Sequence, residues 1–191
     1  HTLDHLDHYL IVLQRAIEAR GGRVHFARTG EEATKIILDI ARAEGVKSII
    51  KSKSMVSEEI ELGHTFEREG FDVVETDLGE FIVQIEQADM GMTGGNFIVA
   101  ETGDICCVEN EGNVRQSVTS PRVMVSLIGI EKLIPSLDHL AVMLKLLARS
   151  ATGQPMTVYT SLFGGPRKAG DIDGPEVFHL VLMDNGRSDI L

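Results

Sequence analysis

The feature that most constrains this chain is the alternation, through its first half, of short apolar runs with longer stretches of helical periodicity. Leu3, Leu6, Leu10, Leu13 and Ile17 recur at three and four positions, one stripe of a helix that halts at Gly21 and Gly22. RVHFA reads as a strand, and Thr29-Gly30-Glu31-Glu32 is a capping box that opens a helix with Ala33, Ile36, Ile37, Ile40 and Ala41 inward. Gly45 ends that helix. A second strand at 48–50 runs into KSKSMVSEE, where Ser57 is suited to cap a helix reaching Gly70, and FDVVE is a third strand. Short strands joined by helices of roughly 12 to 15 residues are what a parallel sheet requires, because each crossover must travel back along the sheet. The expected fold class is α/β, a mainly parallel sheet covered by helices on both faces.

From Asp89 the texture changes. Residues 96–101, 105–110 and 122–127 are strand-like, with turns at Thr102-Gly103-Asp104 and Asn110-Glu111-Gly112-Asn113, which predicts a middle rich in β-hairpins. Ser136 caps a last helix carrying Leu137, Leu140, Ala141, Leu144, Leu147 and Ala148, with Pro155 at its exit. Strands at 156–160 and 177–183 flank the loop SLFGGPRKAGDIDGPE, which is long enough to be functional.

At 191 residues the chain fits a single domain that buries roughly 70% of the surface of its unfolded form. A net charge of −11 argues against nucleic-acid or anionic-membrane partners, because no segregated basic face offsets it. No apolar stretch is long enough to span a bilayer and no signal peptide is visible, so a cytoplasmic location is expected. The chain starts at His1 without a methionine, as a fragment would. Cys106 and Cys107 are adjacent on a predicted strand and point to opposite faces, which suits neither a shared metal nor a disulfide. His1, His5 and His8 share a helix face with Asp4 and Asp7, and nothing completes a coordination set, so a solvated face is expected.

Several stretches have residue types that could carry chemistry. Lys51 and Lys53, with Ser54, leave a strand end just before a helix, where open α/β sheets bind ligands; Glu58 and Glu59 in the following turn would compete with an anion. Gly91, Gly94 and Gly95, followed by Asn96, either expose amides to a phosphate or form a tight turn between strands. Glu101, ahead of Thr102 and Gly103, is a candidate acid, base or nucleophile if it points inward and a strand-end charge if it does not. Arg115, Arg122, Lys132, Arg149, Arg167 and Arg187 adjoin Gly, Pro, Ser or Asn and offer cations that could converge on a carboxylate or phosphate.

Taken together, TLDHLDHYL, GGRVHFART, KSKSMVSEEI, VVETDLGEFIVQI, ADMGMTGGNFIVAETGDI, NEGNVR, GIEKLIPSLDHL, RSATGQP and LMDNGRSDIL resemble the lactate utilization protein B (LutB) family, spanning its LUD domain almost from end to end. The resemblance implies a fold similar to the NagB/RpiA/CoA-transferase class and a part in oxidising L-lactate to pyruvate, as a subunit of a complex with LutA- and LutC-like partners. It also implies a C-terminal ferredoxin-like module with two [4Fe–4S] clusters in the full-length protein. This chain stops at Leu191, where those cysteine runs would begin, so no cluster or other cofactor is expected within it, since a cubane needs separated thiolates. LutB-like chains carry several dozen further residues between FIVQIE and QADMG, so a segment is expected to be missing near Glu86 and Gln87. By analogy with CoA transferases, Glu101-Thr102-Gly103 is similar in layout to a nucleophilic Glu-Asn-Gly turn, although the Asn is absent. By analogy with sugar-phosphate isomerases, Lys51, Lys53 and the Gly91–Gly95 turn would hold a phosphate. The alternative function is therefore a small-molecule enzyme or binding module for a phosphate, sugar-phosphate or CoA-type ligand.

Overall fold

Strand and helix alternate as the periodicities predict in a computed structural model, which describes residues 2–76, 87–110 and 112–190. After a short 3₁₀ turn, α1 (Leu6–Ala19) leads to β1 (Arg23–Ala27), α2 (Gly30–Ala43), β2 (Ser48–Ser52), α3 (Met55–Glu59), α4 (Leu62–Arg68) and β3 (Asp72–Thr76). The chain continues through β4 (Met90–Thr93), β5 (Phe97–Val99), β6 (Ile105–Glu109), α5 (Asn113–Thr119), β7 (Val123–Gly129), β8 (Leu133–Ile134), α6 (Leu137–Thr152), β9 (Tyr159–Phe163) and β10 (Val177–Met183). The junction expected near Glu86 and Gln87 includes Glu86, which lies outside the described residues.

Six strands form one parallel sheet in the order β1-β10-β7-β4-β2-β3. A second sheet, β8-β5-β6-β9, contains the expected hairpin: β5 pairs antiparallel with β6, β6 with β9, and only β5 with β8 runs parallel. One face of the large sheet packs Ile49, Met90, Met92, Val125, Leu127 and Val181 against Ile37, Ala41, Leu62 and Phe66 of α2 and α4. The opposite face packs Met124, Ile128, Phe178 and Leu180 against Leu13 and Ile17 of α1, Val118 of α5 and the inner face of the small sheet, through Ile98, Ile105 and Cys107. The outer face of the small sheet, with Phe97, Val99 and Cys106, receives α6 through Leu140, Leu144 and Leu147. The layers are therefore helices, large sheet, small sheet with α1 and α5, and α6, so part of the second helical cover is replaced by β structure.

Local signals explain the helix ends. Thr29 Oγ1 accepts from the Glu32 amide at 3.2 Å, and Glu32 Oε2 accepts from the Arg28 amide at 2.8 Å, so Thr29 caps α2 where the sequence predicts, with the return bond of the capping box shifted one residue to Arg28. The helix expected from Ser57 to Gly70 differs. It starts at Met55, breaks at Glu61, whose φ of 49° is left-handed, and resumes as α4; Ser57 is buried inside α3 with its hydroxyl donating to the Ser54 carbonyl. Ser136 stands at the start of α6, but its hydroxyl bonds His139 Nδ1 and the cap comes from elsewhere.

GMTGG hides a central strand of the large sheet. β4 is fully buried between β2 and β7, and a side chain at Gly91 would collide with the Ser117 carbonyl of α5. Glycine is needed there for helix-to-sheet approach. The last strand predicted before the Gly/Pro loop also shifts, from 156–160 to Tyr159–Phe163.

Candidate functional site

Parallel α/β sheets bind ligands beyond the carboxyl ends of their strands, where loops and helix N-termini meet. In this molecule that edge gathers the loops after β1, β2, β4, β7 and β10. Ser54 from the β2–α3 loop and Gly94 after β4 touch there: a Cβ on Gly94 would lie 2.6 Å from Ser54 Oγ. The structure therefore brings two of the sequence-predicted stretches together. Packing accounts for the close approach, since a Cβ on Gly95 would also meet Ile128 and Ile105.

Lys51 is 4% exposed, and its Nζ donates to Glu75 Oε1 at 2.7 Å and to Ser57 Oγ at 3.3 Å. A buried ammonium requires such a partner because desolvation without one is costly. The 310 Å³ cavity beside it is lined by Glu58, Glu61, Glu67 and Glu75 together with His64. That lining favours neither phosphate nor carboxylate. Lys53 is exposed. Asn96 ties the small sheet together: its amide donates to the Cys106 carbonyl at 2.8 Å and its Oδ1 accepts from the Val108 amide at 2.9 Å.

Glu101, Thr102 and Gly103 lie at the other end of β5 from Gly94 and Gly95, so the predicted residues do not form one cluster. Glu101 is exposed, and its Oε1 accepts from the Leu137 amide at 2.8 Å. It supplies the α6 cap that Ser136 does not, placing a carboxylate against the positive end of the helix. Arg20 reaches the same turn, donating to the Thr102 carbonyl at 3.1 Å and to Asp104 Oδ1 at 2.5 Å. Gly103 has φ +75° and abuts the α1 backbone at Ile17. Arg115 is exposed on α5, whose first amides, those of Val114 and Arg115, bond the Glu109 carboxylate. Glu101, from the turn after β5, and Glu109, at the end of β6, thus each cap a helix.

A dense polar network on the ligand edge forms around Arg187. Its Nη2 lies 2.7 Å from Glu59 Oε2 and its Nε 2.8 Å from Glu131 Oε2. The second contact is an ion pair without hydrogen-bond alignment, which leaves Glu131 Oε2 buried with no hydrogen-bond partner. Asn185 Nδ2 donates to Glu59 Oε1 at 2.5 Å, while Asn185 Oδ1 accepts from the Gly30 amide at 3.1 Å, joining the network to the start of α2. Hydrogen bonding from Arg187 holds the Glu59 carboxyl below its ordinary range, and Glu59 in turn raises the guanidinium. Gly129 makes room, because a Cβ there would strike the Glu131 carboxylate and lie 2.7 Å from Arg187 Nε. Arg187 stood out in the sequence only as a cation beside a glycine. Glu59 and Glu131, 128 and 56 positions away in the chain, carried no signal that they would meet it.

The sequence pattern of the LUD domain matches residues 12–183. The chain belongs to the LUD-domain family. Over its whole length it is 38% identical to the uncharacterized electron transport protein YkgF of Escherichia coli K12 and 39% identical to Lactate utilization protein B of Bacillus subtilis 168. It spans about half the length of these curated relatives, 51% of each. The matched spans run to 242 and 243 residues against 191 here, so the LUD region of these relatives is longer. In three dimensions the fold is shared with a crystal structure of a DUF162 family protein from Deinococcus radiodurans, with a TM-score of 0.69 at 14% identity, covering 93% of this chain and 98% of that one.

Within this LUD domain the thiols are buried on opposite faces of β6. Burial pushes Cys106 up to about 11 and Cys107 to about 12, so both stay protonated at neutral pH, and Cys107 Sγ donates to the Gly94 carbonyl at 3.4 Å. Among the described residues no group of three or more His, Cys, Asp and Glu side chains is arranged to hold a metal. No helix among them is long and apolar enough to cross a membrane. Under α2, at the opposite end of the sheet, His25 Nε2 and His179 Nδ1 lie 2.8 Å apart with their rings stacked. Burial lowers His179 to about 4, with His25 and Arg23 adding to the effect, and also lowers His25. The pair is 154 positions apart in sequence and was not foreseen; the one hint was a histidine in each of two strand runs.

Proposed function

We propose that this chain is the LUD domain of a LutB-like iron–sulfur protein that takes part in oxidising L-lactate to pyruvate in the cytoplasm, with LutA- and LutC-like partners. The observation that carries the reading is 39% identity across the whole chain to a protein named Lactate utilization protein B. On this reading the domain is the assembly platform of the electron-transfer protein. Its thiols are buried and protonated, so the two [4Fe–4S] clusters belong to cysteines elsewhere in the full-length protein, and the pair of electrons released by lactate passes through those clusters. The additional length of the relatives' LUD region falls, on the same reading, between Glu86 and Gln87. The state of the cations supports a platform over a phosphate enzyme: Lys51 and Arg187 are each already neutralised by carboxylates.

The test is complementation. In a bacterium whose growth on L-lactate has been abolished by deleting its own LutB, the full-length gene carrying this domain should restore growth. The purified full-length protein should show iron–sulfur absorbance that lactate bleaches when the partners are present. Failure to restore growth by a soluble, cluster-loaded protein would overturn the reading.

A further inference from the structure

The turn that carries Arg187 contains the chain's one Asn-Gly step, Asn185-Gly186. Both residues have positive φ, 46° and 82°, and the Arg187 amide donates to the Asp184 carbonyl at 3.0 Å, so residues 184–187 form a type I′ turn. Asparagine before glycine is a chemically labile pairing, because the nitrogen of a residue without a Cβ can approach the asparagine Cγ. Gly186 is exposed, and a Cβ placed on it would meet nothing within 4 Å, so only the conformation of Asn185 limits that approach.

That conformation is fixed by two contacts from distant parts of the chain. Asn185 Nδ2 donates to Glu59 Oε1 at 2.5 Å, and Asn185 Oδ1 accepts from the Gly30 amide at 3.1 Å, although the residue itself is exposed. Glu59 is held in turn by Arg187 at 2.7 Å. The side-chain amide cannot turn toward the Gly186 nitrogen until both bonds break. Glu59 and Asn185 also form part of the wall of a 740 Å³ cleft between α2 and α4, together with Gly30, Lys35 and Arg68.

We propose that Asn185 is a latent deamidation site that works as a one-way latch: Glu59 and Gly30 hold its amide away from Gly186, and once they release it the amide becomes a carboxylate that keeps this junction from reclosing. The Gly186 nitrogen gives its proton to hydroxide and bonds to Asn185 Cγ; the Cγ–Nδ2 bond breaks, and ammonia leaves with a proton taken from water. Water then opens the cyclic imide to aspartate or isoaspartate. The sum is amide plus water giving acid plus ammonia, with no change of oxidation state. A carboxylate at position 185 has no proton to donate to Glu59 and sets a negative oxygen beside it, so the two side chains part. Isoaspartate also lengthens the main chain by one methylene, which the tight turn does not accommodate. Either product breaks the bridge that runs from α3 through this turn to the start of α2.

The test is the one-dalton mass gain of amide-to-acid exchange, located by peptide mapping after incubation at neutral pH. In the purified protein Asn185 should deamidate at least roughly tenfold more slowly than in a synthetic peptide of residues 181–190, because two hydrogen bonds, one of them to a carboxylate, must break first. Glu59→Ala, with an unchanged circular dichroism spectrum, should bring the rate toward that of the peptide. Asn185→Asp, which reproduces one product, should speed hydrogen exchange at Gly30 or within α3. A wild-type protein that deamidates as fast as the peptide overturns the proposal whether or not the variants fold. A folded Glu59→Ala protein that stays slow, or an Asn185→Asp protein with exchange unchanged at both places, overturns it equally.

Discussion

The two sheets of this domain differ in how completely they are sealed. The large parallel sheet has strands buried on both faces: β4 and β7 are buried at every position, and β10 at all but its first. The small sheet is covered on its inner face by the large one, and on its outer face by a single helix that leaves β9 open. Parallel strands need crossover helices on both faces, which seals them as a consequence of connectivity; a mixed sheet built on a hairpin carries no such requirement. The large sheet should therefore carry most of the stability, and the small sheet most of the contact with other molecules.

The strongest test of that division is Gly91. Its Cα faces the Ser117 carbonyl, a backbone atom that cannot rotate away, so Gly91→Ala must move α5 off the sheet. The expected cost in urea unfolding is about 4 kcal/mol or more, above the roughly 1 to 3 kcal/mol typical of overpacked cores because backbone has to move. Next is Phe178, which is 2% exposed between α1 and the sheet. Phe178→Ala should cost about 3 to 5 kcal/mol, whereas Leu162→Ala on open β9 should change monomer stability by less than about 0.5 kcal/mol. Similar losses at the two positions would erase the distinction between the sheets.

The same contrast explains what the sequence revealed. The α1 stripe, the α2 capping box and β10 were readable because each depends on residues within a few positions of one another. β4 was not, because GMTGG has the residue types of a turn, and its role follows from a helix that packs 26 residues later in the chain, at Ser117. The pairing of Ser54 with Gly94, Arg187 with Glu59 and Glu131, and Glu101 with Leu137 was likewise invisible, since each joins elements whose adjacency is fixed only by sheet order. Residue type marked Lys51 as an anion ligand; Glu75, one strand over in register, is what neutralises it.

Acid should expose the weak point of the large sheet. His25 and His179 have folded values lowered below the ordinary 6.5, so the unfolded chain binds more protons than the folded one once pH falls below about 6.5. Their contribution is fully present above that value and is lost as pH falls through 6.5 toward about 4, where His179 itself protonates. Thermal unfolding should show a loss of roughly 2 kcal/mol between pH 7 and 4.5. His179→Leu should flatten most of that slope. Arg23, Asp39 and Glu44 line the same cavity and are left in place by the His179 substitution, so the part of the slope that it removes is assigned to the imidazoles. A wild-type slope unchanged by the substitution would move the acid sensitivity elsewhere.

The smallest expected effect bears most directly on function. Glu101 lies in the turn between β5 and β6 of the small sheet, and its carboxylate is occupied as the cap of α6, the helix on the open face. If capping is its role, Glu101→Gln keeps an acceptor for the Leu137 amide and should cost less than about 0.5 kcal/mol, while Glu101→Ala should cost about 1 kcal/mol and loosen the first turn of α6. Hydrogen exchange at Leu137 would report that loosening. A nucleophile or general base behaves differently: amide replacement would abolish turnover while leaving stability nearly untouched. In the full-length protein, growth on lactate with Glu101→Gln should match wild type, and Glu101→Ala should fall only as far as its stability does. Growth lost with glutamine and an intact fold would transfer Glu101 from the architecture of the small sheet to its chemistry.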